Sequence, residues 1–145
     1  MRVALAAILL LLTGCTTGIA GSPVAAGLAD RDLITRYFSE FDAAAQQGSA
    51  AQQDFLRRTQ HPDFTDRICE LPGVTISVDP TMSTLRPDAK WAPEGANRPR
   101  GAVYVVAVSL TVTKDGQLVG DQIGSERIVV LDGVVYGFMP CLRRN

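Results

Sequence analysis

Histidine occurs once in the 145-residue chain, at position 61, and a single proline separates it from Asp63. An imidazole oriented by a carboxylate is a general base, so His61 and Asp63 are the first candidates for proton chemistry. The competing reading is a histidine near a helix C-terminus, where its cationic form is mildly favoured. Tyr37, Tyr104 and Tyr136 offer phenols to a pocket, or else pack with the hydroxyl reaching water or a backbone carbonyl. Trp91 lies between Lys90 and Pro93 in a proline-rich stretch. It is either a contact for a partner or membrane, or a lid over a pocket mouth. Asp121, Glu126 and Arg127 read as cross-strand ion pairs on a solvated face rather than as pocket lining. No Ser-His-Asp spacing, phosphate-binding glycine loop or metal-ligand cluster is present. No catalytic residue is therefore assigned, and no metal or cofactor is expected.

The N-terminus carries the most specific signal. Met1 and Arg2 supply positive charge, and Val3 to Leu12 is an unbroken apolar run of ten. Such a run rises about 15 Å as a helix, roughly half the hydrocarbon thickness of a bilayer. It reads as an export signal rather than a permanent span. The run closes on Leu12-Thr13-Gly14-Cys15, which resembles the lipobox of bacterial lipoproteins. That resemblance implies a diacylglycerol on the Cys15 sulfur, cleavage before Cys15, and an extracytoplasmic protein held on the bacterial cell membrane by its acyl chains. Two buried acyl chains hold a protein stably where one does so marginally, at about 0.8 kcal/mol per CH₂. The alternative is an ordinary signal peptide that happens to carry a cysteine.

The fourteen basic residues fall to thirteen once Arg2 leaves with residues 1–14, against fifteen acidic ones. That balance is not a nucleic-acid footprint. With Cys15 acylated, Cys69 and Cys141 remain. An even pair in an oxidising compartment usually bridges. Closing a loop of about 70 residues is worth roughly 4 kcal/mol in the chain-entropy account. The alternative is two separate buried thiols.

A tether and one domain must position these residues. Residues 15–29 are rich in Gly, Ala, Ser and Pro and read as a flexible tether. Residues 30–145 form one α+β domain. Asp30 is a candidate cap. After it, Leu33, Ile34, Tyr37, Phe38, Phe41, Ala44 and Ala45 fall in one helical stripe, and Gly48 comes next as the C′ residue. Ser49 and Gln52 form a capping-box pattern for a second helix, which Pro62 ends. Pro62 to Asp66 suits a turn or short helix. Val74, Ile76 and Val78 alternate as a strand. Residues 79–100 carry four prolines and read as a long surface excursion, with a short strand near Met82 to Leu85. From Ala102 to Met139 the pattern is three antiparallel strands, turning at Asp115-Gly116 and Asp132-Gly133. Gly120 and Gly124 mark bulges or bends in the middle strand.

Two helices, the Tyr37-Phe38 stripe and a long meander closing on Asp132-Gly133 resemble the nuclear transport factor 2-like fold. That cone-shaped α+β family includes ketosteroid isomerase and the polyketide cyclases. A cystatin-like sheet with one long helix is the competing topology. The resemblance implies a cone whose mouth can hold a carboxylate base and hydroxyl partners. Tyr37, His61, Asp63, Trp91, Tyr104 and Tyr136 are the pocket candidates.

Three functions fit. The first is a non-enzymatic envelope lipoprotein that binds an apolar small molecule, or another envelope protein, in the sheet's concavity. The second is an isomerase- or cyclase-like enzyme, which requires a buried carboxylate or histidine with a strongly perturbed pKa in a roomy apolar pocket. The third is a homodimer formed through the outer sheet face at Val103, Val105 and Ala107.

Overall fold

The computed structural model describes residues 26–139. The leader, Cys15, most of the tether and Cys141 lie outside the described residues. Two helices, α1 (Leu28–Gln46) and α2 (Ser49–Thr59), precede four strands: β1 (Val74–Pro87), β2 (Ala102–Lys114), β3 (Gln117–Leu131) and β4 (Val134–Tyr136). The strands form one antiparallel meander in the order β1-β2-β3-β4. The chain is thus an α+β protein with two helices packed on a four-stranded sheet. Among the described residues no helix is long and apolar enough to cross a membrane.

Helix α1 forms because its apolar residues recur at 3.6-residue spacing. Ile34, Tyr37, Phe38, Phe41 and Ala44 are its buried face. The helix ends where Gly48 takes φ 110°, a conformation costly for any residue with a Cβ. The expected caps are replaced. Gly27, not Asp30, is the N-cap of α1. Asp30 instead accepts a 2.5 Å hydrogen bond from the Tyr104 hydroxyl. Gly48 is the N-cap of α2, so Ser49 and Gln52 make no capping box.

Gln52 does something else. It is fully buried. Its amide donates to Ile76 O at 2.6 Å and accepts from Ile76 N at 2.8 Å. This is the pairing a neighbouring strand would offer. Gln53 treats Cys69 O and Leu71 N in the same way, at 3.0 Å each. Gln60 donates to Phe64 O and accepts from Met139 N. Asp42 accepts from Val78 N at 2.9 Å. Four side chains of the helical layer therefore satisfy backbone groups that would otherwise be buried without partners.

Strand β1 is longer than the sequence suggests. Residues 79–87 are strand, not excursion. Pro80 and Pro87 are tolerated because β1 is an edge strand, where a missing N–H removes no ladder bond. Between Thr81 and Arg86 the register against β2 slips. There Thr84 Oγ1 accepts from Ala107 N at 2.9 Å and replaces a ladder partner. The hairpins turn as expected at Asp115-Gly116 and Asp132-Gly133, with φ of 51° and 76° at each pair. That is the signature of a type I′ turn. A second slip in register lies between Val112 and Thr113 of β2. One extra β3 residue there changes which β3 side chains face the helices.

The two sheet faces differ. Tyr104, Val106 and Val108 of β2 join the main core with Ile76, Val78 and the α1 stripe. Val103, Val105 and Val129 are buried on the opposite face. Val103 is 2 % and Val105 4 % exposed, so these two are not available as an open patch for a second copy. The exposed large apolar residues of the sheet are Leu118, Val119, Ile123 and Val134.

Candidate functional site

A cavity of about 260 Å³ lies between the helices and the inner sheet face. Tyr37, Phe38 and Phe41 of α1 and Leu56 of α2 form one wall. Ile76, Val78, Leu110 and Val112 form the sheet side. The cavity exists because of what β3 omits. Opposite Val112, Leu110, Val108 and Val106, β3 places Gly120, Gln122, Gly124 and Glu126. Neither glycine has an atom within 4 Å of where a Cβ would stand. The apolar face of β2 is therefore left partly uncovered.

Glu126 is the charged residue this register turns inward. It pairs across the ladder with Val106, which is fully buried. Arg127, next in the chain, faces the other way. Its guanidinium lies over Trp91 at 5.6 Å and meets Asp88 at 3.4 Å. Glu126 has no ion-pair or hydrogen-bond partner among the described residues. Burial raises its carboxyl pKa to about 7, against a smaller lowering by Arg127. Burial also pushes the Tyr37 phenol pKa up. A hydrogen bond with Thr59 opposes that rise, and the nearby Glu126 charge adds to it. A Cβ on Gly137 would come within 2.2 Å of Tyr37 Oη, so only glycine lets the phenol lie there. Phe138 completes the lining, and the exposed Asp121 and Gln122 mark the side on which the cavity meets solvent.

Of the six pocket candidates, Tyr37 lines this cavity. The others are placed elsewhere. His61 is fully buried. Its Nδ1 accepts from Asp63 N at 3.1 Å and its Nε2 contacts Arg100 O at 3.0 Å. Since Nδ1 must accept, the network assigns the proton to Nε2. Both ring nitrogens are thus occupied by backbone. Asp63 belongs to Arg100, at 2.9 Å from Nε and 2.7 Å from Nη2. Those hydrogen bonds, first from the side chain and then from the backbone, hold its carboxyl below the usual range. Trp91 is neither an exposed anchor nor a lid. It packs edge-on against Phe138 at 4.8 Å, in an aromatic group with His61, Phe64 and Tyr136. Tyr104 ties β2 to Asp30, and burial and that carboxylate push its phenol to about 12.

The fold and site define a class: a two-helix, four-strand α+β protein enclosing an apolar cavity with an inward carboxyl. Comparison of the chain with protein-family models, curated proteins and solved structures finds no match.

Proposed function

We propose that this is a lipid-anchored, extracytoplasmic lipoprotein whose cone-shaped domain holds a small molecule in the cavity between α1 and the inner sheet face. The observation that carries the reading is the cavity itself, apolar on its helix and sheet walls and polar at Glu126 and Tyr37. Such a composition suits a ligand site, where a few polar groups orient an apolar body. The nuclear transport factor 2-like assignment is favoured over the cystatin-like one by two helices, rather than one, ahead of the sheet. A single-ring ligand, neutral or charged, should bind the mature chain one to one by calorimetry. Cys15→Ala in that chain removes the need for detergent. Gly120→Leu should leave the fold intact, since its Cβ meets open space, and lower the affinity at least tenfold. Failure of every single-ring ligand to bind would end the reading.

The anchor rests on Leu12-Thr13-Gly14-Cys15 and the bridge on the surroundings of Cys69. The backbone N–H of Cys69 approaches Met139 Sδ at 3.2 Å. Met139 stands two residues before Cys141, which makes Cys141 the proposed partner. Cys15→Ala should move the protein from the membrane to the soluble fraction. Intact mass of the native protein should show an acylated Cys15 N-terminus and two hydrogens fewer than after reduction. An unmodified N-terminus elsewhere would overturn the anchor.

Glu126 favours a second reading, an isomerase- or cyclase-like enzyme. A carboxyl raised to about 7 in an apolar cavity is poised for proton transfer near neutral pH. Its carboxylate would take a proton from carbon beside a carbonyl, while Tyr37 donates a hydrogen bond to the resulting enolate oxygen.

A further inference from the structure

We propose that the ligand of this cavity is an organic cation, a small apolar body bearing a positively charged nitrogen. It would seat between Glu126 and the rings of Tyr37 and Phe38. The inference rests on reading the cavity as a ligand site, and deepens it.

Three observations carry it. First, among the described residues no lysine, arginine or histidine lines the cavity, whereas Glu126 does and Asp121 stands where it meets solvent. A carboxylate or phosphate ligand would be repelled there and would find no cationic partner. Second, the nearest arginine is committed elsewhere. Arg127 is held on the opposite sheet face by Asp88 and Trp91, so it cannot swing inward without losing both. Among the described residues the cation that acts on Glu126 is Arg127, from the far side of the sheet, and a bound cation would supply a countercharge inside the cavity. Third, α1 lines the cavity with three aromatic residues, Tyr37, Phe38 and Phe41. Aromatic faces attract cations through the ring quadrupole, most strongly where water is excluded. The volume, about 260 Å³, falls below the ~300–1,000 Å³ of drug-sized sites. It suits one ring or a short branched chain.

The arrangement predicts a pH signature. Tyr37 faces Glu126 from α1, Val106 from β2, and Arg127 lies beside it on β3 but points away. A cation binds the ionised carboxyl, so affinity should rise as the Glu126 proton leaves.

The test uses an isosteric pair, benzyltrimethylammonium and its carbon analogue neopentylbenzene, titrated into the mature chain carrying Cys15→Ala. The cation should bind at least tenfold more tightly than the neutral isostere at pH 8. Its affinity should fall about tenfold or more by pH 5.5 while that of the isostere stays flat. Glu126→Gln should erase the difference between the two, with the far-ultraviolet circular dichroism unchanged. Equal affinities for the pair, or a cation affinity indifferent to pH, would overturn the cation proposal and leave the cavity reading standing. Binding of neither would overturn both. Should Glu126→Gln fold poorly, the pH comparison on the unaltered cavity decides alone.

Discussion

Gln52→Ala should lower the stability of the domain by about 3 kcal/mol, as much as truncating an apolar core residue of the same size. The side chain is fully buried and serves both polar groups of Ile76, accepting from its N–H and donating to its carbonyl. Removing it leaves two backbone groups without partners, each worth about 1–3 kcal/mol, and opens a void beside the core. Urea denaturation read by circular dichroism would report the loss as a lower midpoint at unchanged slope. Gln52→Glu separates the hydrogen bonds from packing. Its carboxylate can still accept from Ile76 N but cannot donate to Ile76 O, and its charge is buried. Near neutral pH it should be as destabilised as the alanine variant, and it should recover part of the loss in acid, where the protonated carboxyl donates again. A loss under about 1 kcal/mol for Gln52→Ala would mean that water or a shifted side chain replaces the amide.

Glu126 makes the wild-type protein less stable as pH rises. Its carboxyl pKa goes from 4.5 in the unfolded chain to about 7 in the native fold, because burial penalises the charge. Between those values the folded state holds a proton that the unfolded state has released. Stability is therefore greatest, with respect to this group, below about 4.5 and declines as pH climbs to about 7. The full decline is bounded at about 3 kcal/mol, and the half-buried position of Glu126 makes it smaller. Glu126→Gln removes the dependence. The variant should match wild type near pH 4.5 and exceed it by about 1–2 kcal/mol at pH 8, seen as a thermal midpoint higher by several degrees. A constant difference between the two proteins across that range would place the carboxyl in water rather than in the cavity. Saturating cation should shrink the gap at pH 8, since it binds the folded wild type and not the unfolded chain.

Gln52 and Glu126 lie where local sequence signals stop. The α1 stripe and the Asp-Gly hairpins are local signals, complete within a few residues, and the structure has them where the pattern puts them. Gln52 acts on Ile76, and Gln60 on Met139. A glutamine that imitates a strand looks no different in sequence from one that faces water. Glu126 is hidden by parity. Counting back from the Asp115-Gly116 turn with simple pairing puts Ser125 opposite Val106. The slip near Val112 inserts one β3 residue, so Glu126 takes that place instead. A strand offering Gly, Gln, Gly and Glu on alternate positions reads as a solvated face, and here it is the inner wall. Residues 79–87 escape a sequence reading because prolines argue against a strand unless it is known to be at an edge.

The two margins of the sheet are not alike. On β1, Gln52 and Asp42 occupy main-chain groups from Ile76 to Val78, and prolines and the slipped register interrupt the rest of that strand. On β3, residues 117–128 pair only with β2 among the described residues, since β4 begins its pairing at Val129. Any main-chain zippering between copies must therefore use the β3 margin of each. A molecule with one such margin can join a twin but cannot pass the contact onward, so growth ends at a closed pair instead of running into a filament.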